Sequence, residues 1–292
     1  MARPMDMSVP DPGTVYWDAI AEKIQKGSPL NEWRYYMRNV YRRLLRNWVT
    51  SIDCGRGLKT DLFEEAVSPY ELLSEMSPRS VGIDCSLKIV RATRSRLPAG
   101  ATPHPLVAAD LRRLPFQSDI FQYILSGSSL DHFVRKDEIA VSLFELSRVL
   151  APQGVMVITL DNPHNPLVRL RNSLPFTWLH SLKLVPYYVG STYGRAEARE
   201  QFTAAGLRVT EMTAVVHAPR VLAIWVVAGA ERLGWARLET LIRKVLEGFE
   251  RLERLPTRFY TGYYLAFRIE KLNSTGSEQS CERHEPLPGS SA

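Results

Sequence analysis

Residues 106–161 read LVAADLRRLPFQSDIFQYILSGSSLDHFVRKDEIAVSLFELSRVLAPQGVMVITLD, and this stretch decides the fold. Apolar, β-rich runs end in polar residues at Asp110, Ser126 and Asp161, and an amphipathic segment from Asp137 to Leu150 separates the last two. Short apolar run, helix, apolar run is the rhythm of a parallel sheet with crossover helices. Ligands of such sheets sit beyond the carboxyl ends of the strands. The three polar strand ends are therefore the first candidates for a site.

Toward the N-terminus, Ser80-Val81-Gly82-Ile83-Asp84 is a further short strand ending in an acid. Upstream of it two registers compete for the opening strand. In one, Val49 to Asp53 is the strand and Asp53-Cys54-Gly55-Arg56-Gly57 is a glycine-rich loop. In the other, Leu58 to Asp61 is the strand, Gly55 and Gly57 break the preceding helix, and the loop is Leu62-Phe63-Glu64-Glu65-Ala66. A strand, a crossover helix and the next strand's terminal acid occupy about 20 residues in a nucleotide-binding unit. The interval to Asp84 is 23 residues from Asp61 and 31 from Asp53, so spacing favours the second register.

AADLRRLPFQSDIFQYILSGSSLDHF followed by SRVLAPQGVMVITLDNP resembles the second half of a class I S-adenosylmethionine-dependent methyltransferase of the type-11 group. LKTDLFEEA resembles the segment that replaces the glycine loop in a subgroup of that family. The resemblance implies an α/β fold, a Rossmann-like doubly wound seven-stranded sheet with helical additions, and S-adenosylmethionine as cofactor. It implies that Asp84 bonds the ribose hydroxyls, as an acceptor pair for two donors should. By the same resemblance Asp110 accepts from the adenine amino group, Leu111 offers a backbone N–H, and Leu130 packs beneath the cofactor. Thr60, Asp61, Phe63 and Glu65 then border its amino-acid end, with Cys85 and Ser126 completing the set. Without the resemblance, Asp84 reads as the cap of the helix beginning near Lys88 and Asp110 as a turn residue.

Gly127-Ser128-Ser129 is a run small enough for backbone to approach a ligand closely. His132 beside it is a candidate general base by its ordinary pKa, or a packing residue; Asp131 either orients that imidazole or caps the next helix. Beyond Asp161, the segment 163–193 is rich in proline, asparagine and aromatics and reads as a cap over the strand ends. His164, Asn165, Tyr187, Tyr188 and Tyr193 are its polar candidates for the acceptor, weighed against simple aromatic packing. Arg195 to Gly206 reads as a helix with a glycine stop, Leu207 to His217 as a strand, and 219–255 as a helical insertion before a last strand, Thr261 to Ile269.

From Asn31 to Trp48, Trp33, Met37, Val40, Leu44 and Trp48 recur at helical spacing, and Arg34, Arg38, Arg42, Arg43 and Arg46 populate the other faces. This basic helix belongs to an extension, 15–48, preceding a methyltransferase domain at 49–272. It either packs its apolar stripe and solvates its arginines or makes a peripheral contact with anionic lipid. Residues 1–14 read as a mobile tail and 273–292 as a disordered one.

The chain has 292 residues, 37 Lys and Arg against 31 Asp and Glu, and a net charge of +6. No nucleic-acid module follows from that charge, so no nucleic-acid partner is expected. Three cysteines, Cys54, Cys85 and Cys281, lack metal-ligand spacing, which argues for a reduced compartment and against a bound metal. The start MARPMDMSVPDPGT has no apolar core, and the longest apolar run, Val221 to Ala230, is far short of the ~20 residues a membrane span needs. A cytoplasmic enzyme acting on a small-molecule acceptor is the expectation. A lipid or quinone-like acceptor at a membrane surface, or a non-catalytic cofactor-binding regulatory subunit, are the alternatives.

Overall fold

The computed structural model describes residues 14–25, 30–50, 52, 54–68, 72–96, 104–182, 184–185 and 187–272. The tails expected at 1–14 and 273–292 lie outside these residues, Thr14 excepted, as does Asp53.

The chain opens with two helices, α1 (Thr14–Gln25) and α2 (Asn31–Trp48). It continues through β1 (Gly57–Lys59), α3 (Phe63–Val67), β2 (Val81–Asp84), α4 (Leu87–Arg96), β3 (Leu106–Ala108) and β4 (Phe121–Gly127). Then come α5 (Lys136–Val149), β5 (Leu150–Asp161), α6 (Pro166–Ser173), α7 (Phe176–Ser181), α8 (Arg195–Ala204) and β6 (Leu207–Val215). The remainder is α9 (Arg220–Leu233), α10 (Ala236–Phe249), a 3-10 turn at Glu250–Arg254, α11 (Arg258–Thr261) and β7 (Tyr264–Lys271).

The seven strands form one sheet in the order β3-β2-β1-β4-β5-β7-β6. All pairs are parallel except those of β7, which runs antiparallel to both β5 and β6. Strand order reverses between β1 and β4, which opens the crevice where such sheets bind ligands. Because β7 is reversed, its first residue Tyr264 lies opposite Asp161, the last of β5. The start of β7 therefore joins the carboxyl ends of the parallel strands at one edge.

Both faces of the sheet are covered, and the central strands are accordingly almost continuously apolar. Ile124, Met156 and Ile158 face Leu143, Leu146 and Phe202 on the α5 and α8 side. Leu125 and Val157 face Val40, Leu44, Val227 and Leu246 of α2, α9 and α10.

β1 settles the register. It pairs Leu58 with Val81 and Ile124, and the Thr60 N–H extends it by donating to the Leu125 carbonyl at 3.1 Å. Gly57 belongs to this strand instead of breaking a helix, since α2 ends at Trp48. A Cβ there would lie 2.4 Å from the Tyr123 ring and 2.7 Å from Ser80 Oγ, so only glycine lets β1 meet β4 at this point. The last strand also begins later than the sequence suggests, because Arg258–Thr261 coils into α11 first.

The apolar stripe of α2 packs into the core, as one sequence reading has it, and each of its arginines has a carboxylate partner, although Arg42, Arg43 and Arg46 stay 38%, 38% and 59% exposed. Arg34 pairs with Glu64 at 2.6 Å, while Arg38, Arg42 and Arg46 converge on Glu75. Arg43 bridges Glu250 at 2.8 Å and Glu253 at 2.9 Å. The α2 N-terminus is capped from the insertion, where the Glu231 carboxylate of α9 accepts from the Leu30 and Asn31 N–H groups. No helix among the described residues is long and apolar enough to cross a membrane.

Candidate active site

A cavity of about 510 Å³ opens at the carboxyl edge of the sheet. Thr60, Asp61, Phe63, Glu65, Asp84, Cys85, Asp110, Leu111 and His132 all line it. On the β1–β3 side its walls are acidic. Asp61 Oδ1 accepts from the Phe63 N–H at 2.9 Å, and its second oxygen has no hydrogen-bond partner among the described residues. Asp84 Oδ1 accepts from the Ser86 N–H at 2.8 Å and Oδ2 from the Leu62 N–H at 3.2 Å. Burial, reinforced by the charge of Asp61, pushes the Asp84 carboxyl up to about 7. Such a carboxylate gains from further donors, which is what a ribose diol supplies, and the spare Asp61 oxygen suits an ammonium. The acceptor set on this side thus fits S-adenosylmethionine.

Two members of the acidic side are already committed elsewhere. Glu65 is fully engaged, with Oε2 on the buried Lys59 ammonium at 2.9 Å and Oε1 accepting from the Leu72 and Leu73 N–H groups, so it pins the turn after β1. Asp110 is half-exposed and grips Arg112 through both oxygens, Oδ1 accepting from Nε at 3.1 Å and Oδ2 from Nη2 at 2.7 Å. Burial works against its ionisation, but the Arg112 bonds win and hold the carboxyl below its ordinary range.

On the β4–β7 side the walls are aromatic and cationic. Gly127 leaves room for Tyr41 of α2, whose ring would stand 3.1 Å from a Cβ there and whose hydroxyl pairs with Thr159 Oγ1 at 2.9 Å. His132 sits between Trp17 of α1, ring centroids 4.6 Å apart, and Tyr187, 5.5 Å apart. Its Nδ1 is buried without a hydrogen-bond partner among the described residues. Burial, opposed by Asp161, pushes the imidazole down to about 4, so it is neutral at ordinary pH. Asp131 neither orients His132 nor caps a helix through its side chain. Its Oδ2 instead accepts from the Asp161 N–H at 2.9 Å and Ser128 Oγ at 3.3 Å, tying the ends of β4 and β5 together. Arg220, the first residue of α9, donates to the Tyr264 hydroxyl at 2.8 Å and the Tyr187 hydroxyl at 3.4 Å.

Six sequence candidates lie off this wall. Ser126 is fully buried and accepts from Thr60 Oγ1 at 3.0 Å, because the strand alternation that turns Gly127 toward the cavity turns Ser126 away. Leu130 is fully buried in the core on the α5 side. Asn165 caps α6, accepting from the Leu167 N–H at 2.9 Å. Tyr193 donates to the Lys136 carbonyl at 2.6 Å, and the buried Tyr188 takes part through its backbone N–H, donating to the Tyr16 hydroxyl at 2.7 Å. His164 is absent from the wall. Of the cap candidates Tyr187 alone reaches the cavity, and Trp17, Tyr41, Lys59, Arg220 and Tyr264 were not singled out by the sequence. Tyr41 carried a faint signal, lying on the helix whose apolar stripe was already evident.

Among curated proteins, none matches the sequence. Residues 52–158 match the methyltransferase-domain family Methyltransf_11. Solved structures share the fold at low identity. A chain of the Haloferax volcanii complex between the Trm112 methyltransferase activator and a methyltransferase superposes with a TM-score of 0.54 at 18% identity, covering 90% of this chain and 99% of that one. An S-adenosylmethionine-dependent methyltransferase from Mesorhizobium loti gives 0.52 at 16% identity, covering 78% and 96%. The [4+2]-cyclase SpnF gives 0.50 at 16% identity, covering 80% of each chain, a reminder that one fold hosts several chemistries. The family match speaks to the reaction where fold alone does not. The chain thus carries a methyltransferase domain at residues 52–158, set in a seven-stranded sheet of the class I, Rossmann-like kind.

Proposed function

We propose that this enzyme methylates a small-molecule acceptor held on the aromatic side of the cavity, with the cofactor on the acidic side. The observation that carries the reading is the division of one cavity at the β1–β4 seam, with Asp61 and Asp84 on one side and Trp17, Tyr41, His132, Tyr187 and Tyr264 on the other. When bound, S-adenosylmethionine supplies a methyl group on an already activated sulfonium. The protein's own contribution is then chiefly alignment and exclusion of water. Asp84 holds the ribose and Asp61 the ammonium, while Thr60, Phe63, Cys85, Asp110 and Leu111 complete the cofactor wall. His132, neutral and with Nδ1 free, takes the proton of an acceptor hydroxyl or amine. The test is incubation with methyl-labelled cofactor and cell extract split into small-molecule and macromolecular fractions. Label is expected in the small-molecule fraction; label only in protein or nucleic acid would overturn the reading.

A second reading, an acceptor taken from a lipid surface, is favoured by one observation. Leu222, Trp225, Val226 and Leu233 recur at helical spacing on the outer face of α9, and Trp178, Trp225 and Trp235 are 66%, 61% and 62% exposed. This face, rather than the ion-paired arginines of α2, is the one suited to a bilayer interface. Co-sedimentation with neutral phosphatidylcholine vesicles at physiological salt should then be abolished by Trp225→Asp and untouched by Arg42→Gln. No sedimentation of the wild type would remove this reading and leave the first standing.

A further inference from the structure

The cations lining the cavity differ in one respect. Arg34 pairs with Glu64, Arg38 with Glu75, Lys59 with Glu65, and Arg112 with Asp110 and Glu138. Arg220 has no carboxylate partner among the described residues, and its named hydrogen bonds run to two tyrosine hydroxyls. Its neighbourhood is unbalanced too. The guanidinium lies 5.2 Å from the Tyr263 ring centroid, and that of Arg171 lies 5.7 Å from the same ring. The carboxylate beside them, Asp161, is taken by Arg171. Asp131 does not reach either guanidinium: its named hydrogen bonds run to the Asp161 N–H and Ser128, and burial with the neighbouring Asp161 pushes its carboxyl well above the ordinary range. Two guanidinium groups thus share one carboxylate, in surroundings where an uncompensated charge is costly.

Arg220 is also equipped to bind. A guanidinium has five N–H donors, of which the two tyrosines use two. Each tyrosine accepts from Arg220 through its oxygen, leaving its own O–H without a named acceptor among the described residues. Arg220, Tyr264 and Tyr187 therefore offer a convergent set of donors and one positive charge on the cavity wall, beside the rings of Trp17, Tyr41 and His132. A planar carboxylate matches this set bidentately and balances the single charge. A phosphate dianion would leave a net negative charge in a cavity that already holds Asp61 and Asp84.

We propose that the methyl acceptor is a carboxylic acid with an aromatic or similarly flat apolar body, its carboxylate held by Arg220 with the Tyr264 and Tyr187 hydroxyls. This rests on the acceptor side assigned above, and the acid is a specificity handle, separate from the atom that is methylated. The probes are benzoate, its neutral analogue benzamide, and phenyl phosphate, titrated by ligand-observed NMR into the full-length protein with and without S-adenosylhomocysteine. Benzoate is expected to bind at least about tenfold more tightly than benzamide and phenyl phosphate, and Arg220→Gln should remove that preference. S-adenosylhomocysteine should bind Arg220→Gln with unchanged affinity. Tyr264→Phe, which keeps the ring, should weaken benzoate several-fold and provides the same test if Arg220→Gln does not fold. Equal binding of benzoate and benzamide, or benzoate binding that survives both substitutions, would overturn the proposal. Tighter binding of phenyl phosphate would overturn the carboxylate assignment. Failure of S-adenosylhomocysteine to bind the wild type would instead count against the cofactor side, and the benzoate titration without it still decides the anion question.

Discussion

The two sides of the cavity are built by different rules. On the β1–β3 side, each functional acid follows its own strand by at most two residues, so sequence neighbours are also spatial neighbours. On the β4–β7 side, Trp17, Tyr41, His132, Tyr187, Arg220 and Tyr264 come from six separate segments that meet only in the folded chain. The first arrangement belongs to the sheet itself and serves a ligand common to the fold. The second joins Tyr264 of β7 and the turn after β4 to helices and loops added around the sheet, so that on the proposed reading an acceptor site can change without disturbing cofactor binding.

Asp84→Ala applies the hardest pressure to this division. On the proposed reading it removes the acceptors for two ribose hydroxyls, at roughly 1.5–3 kcal/mol for hydrogen bonds to a charged group, and a tenfold or greater loss of affinity for S-adenosylhomocysteine is expected by calorimetry. Benzoate binding should be untouched. A variant that lost both ligands together would mean that the two sides are one site.

Gly57→Ala tests the seam. Overpacking against Tyr123 should cost about 1–3 kcal/mol of stability, seen as an earlier denaturant midpoint with an unchanged slope. Gly55→Ala should leave both stability and cofactor affinity in place. The reverse ranking would return the cofactor loop to the residues around Gly55.

The smallest effect is in pH. With the Asp84 carboxyl at about 7 in the free protein, it is largely protonated at pH 6 and ionised at pH 8. Binding that favours the ionised form should strengthen with pH across this window, by at most about tenfold, and Asp84→Asn should flatten the profile. For folding alone the sign is opposite. The folded state keeps this proton to higher pH than the unfolded chain does, so the stability it contributes is complete below about 4 and lost as pH rises through 7. Benzoate binding should show no such step, since Arg220 stays charged throughout.

Much of the acidic side was legible because an apolar run ending in an acid is a local signal. The 23-residue interval from Asp61 to Asp84 chose the register in which β1 forms. What failed on that side failed by small geometric margins. Ser126 and Gly127 differ by one position and face opposite ways, and Glu65 is on the wall but spent on Lys59 and two backbone amides. The aromatic side was mostly illegible, since no spacing rule links Trp17 to Tyr41 or Arg220. The helix carrying Trp17 was not separated from the basic extension, because its anchors are tertiary: Asp18 on Ser86 and Glu22 on Lys88 of α4. The α2 arginines were seen as a pattern but not for what they do, since Glu75, Glu250 and Glu253 are distant in sequence.

The pairing of α2 with the C-terminal insertion also bears on synthesis. Glu231 caps the start of α2, Arg243 grips Glu32, and Arg43 reaches Glu250, 207 residues further along the chain. At about 5–20 residues per second, Arg43 emerges some ~10–40 s before its partner has been made. The partners of Arg34, Arg38, Arg42 and Arg46, Glu64 and Glu75, are made early in that interval, but the side of α2 that meets α9, α10 and the turn after them lacks its cover throughout. The nascent chain must stay soluble with that side of its first long helix uncovered until α10 and the turn after it have left the ribosome.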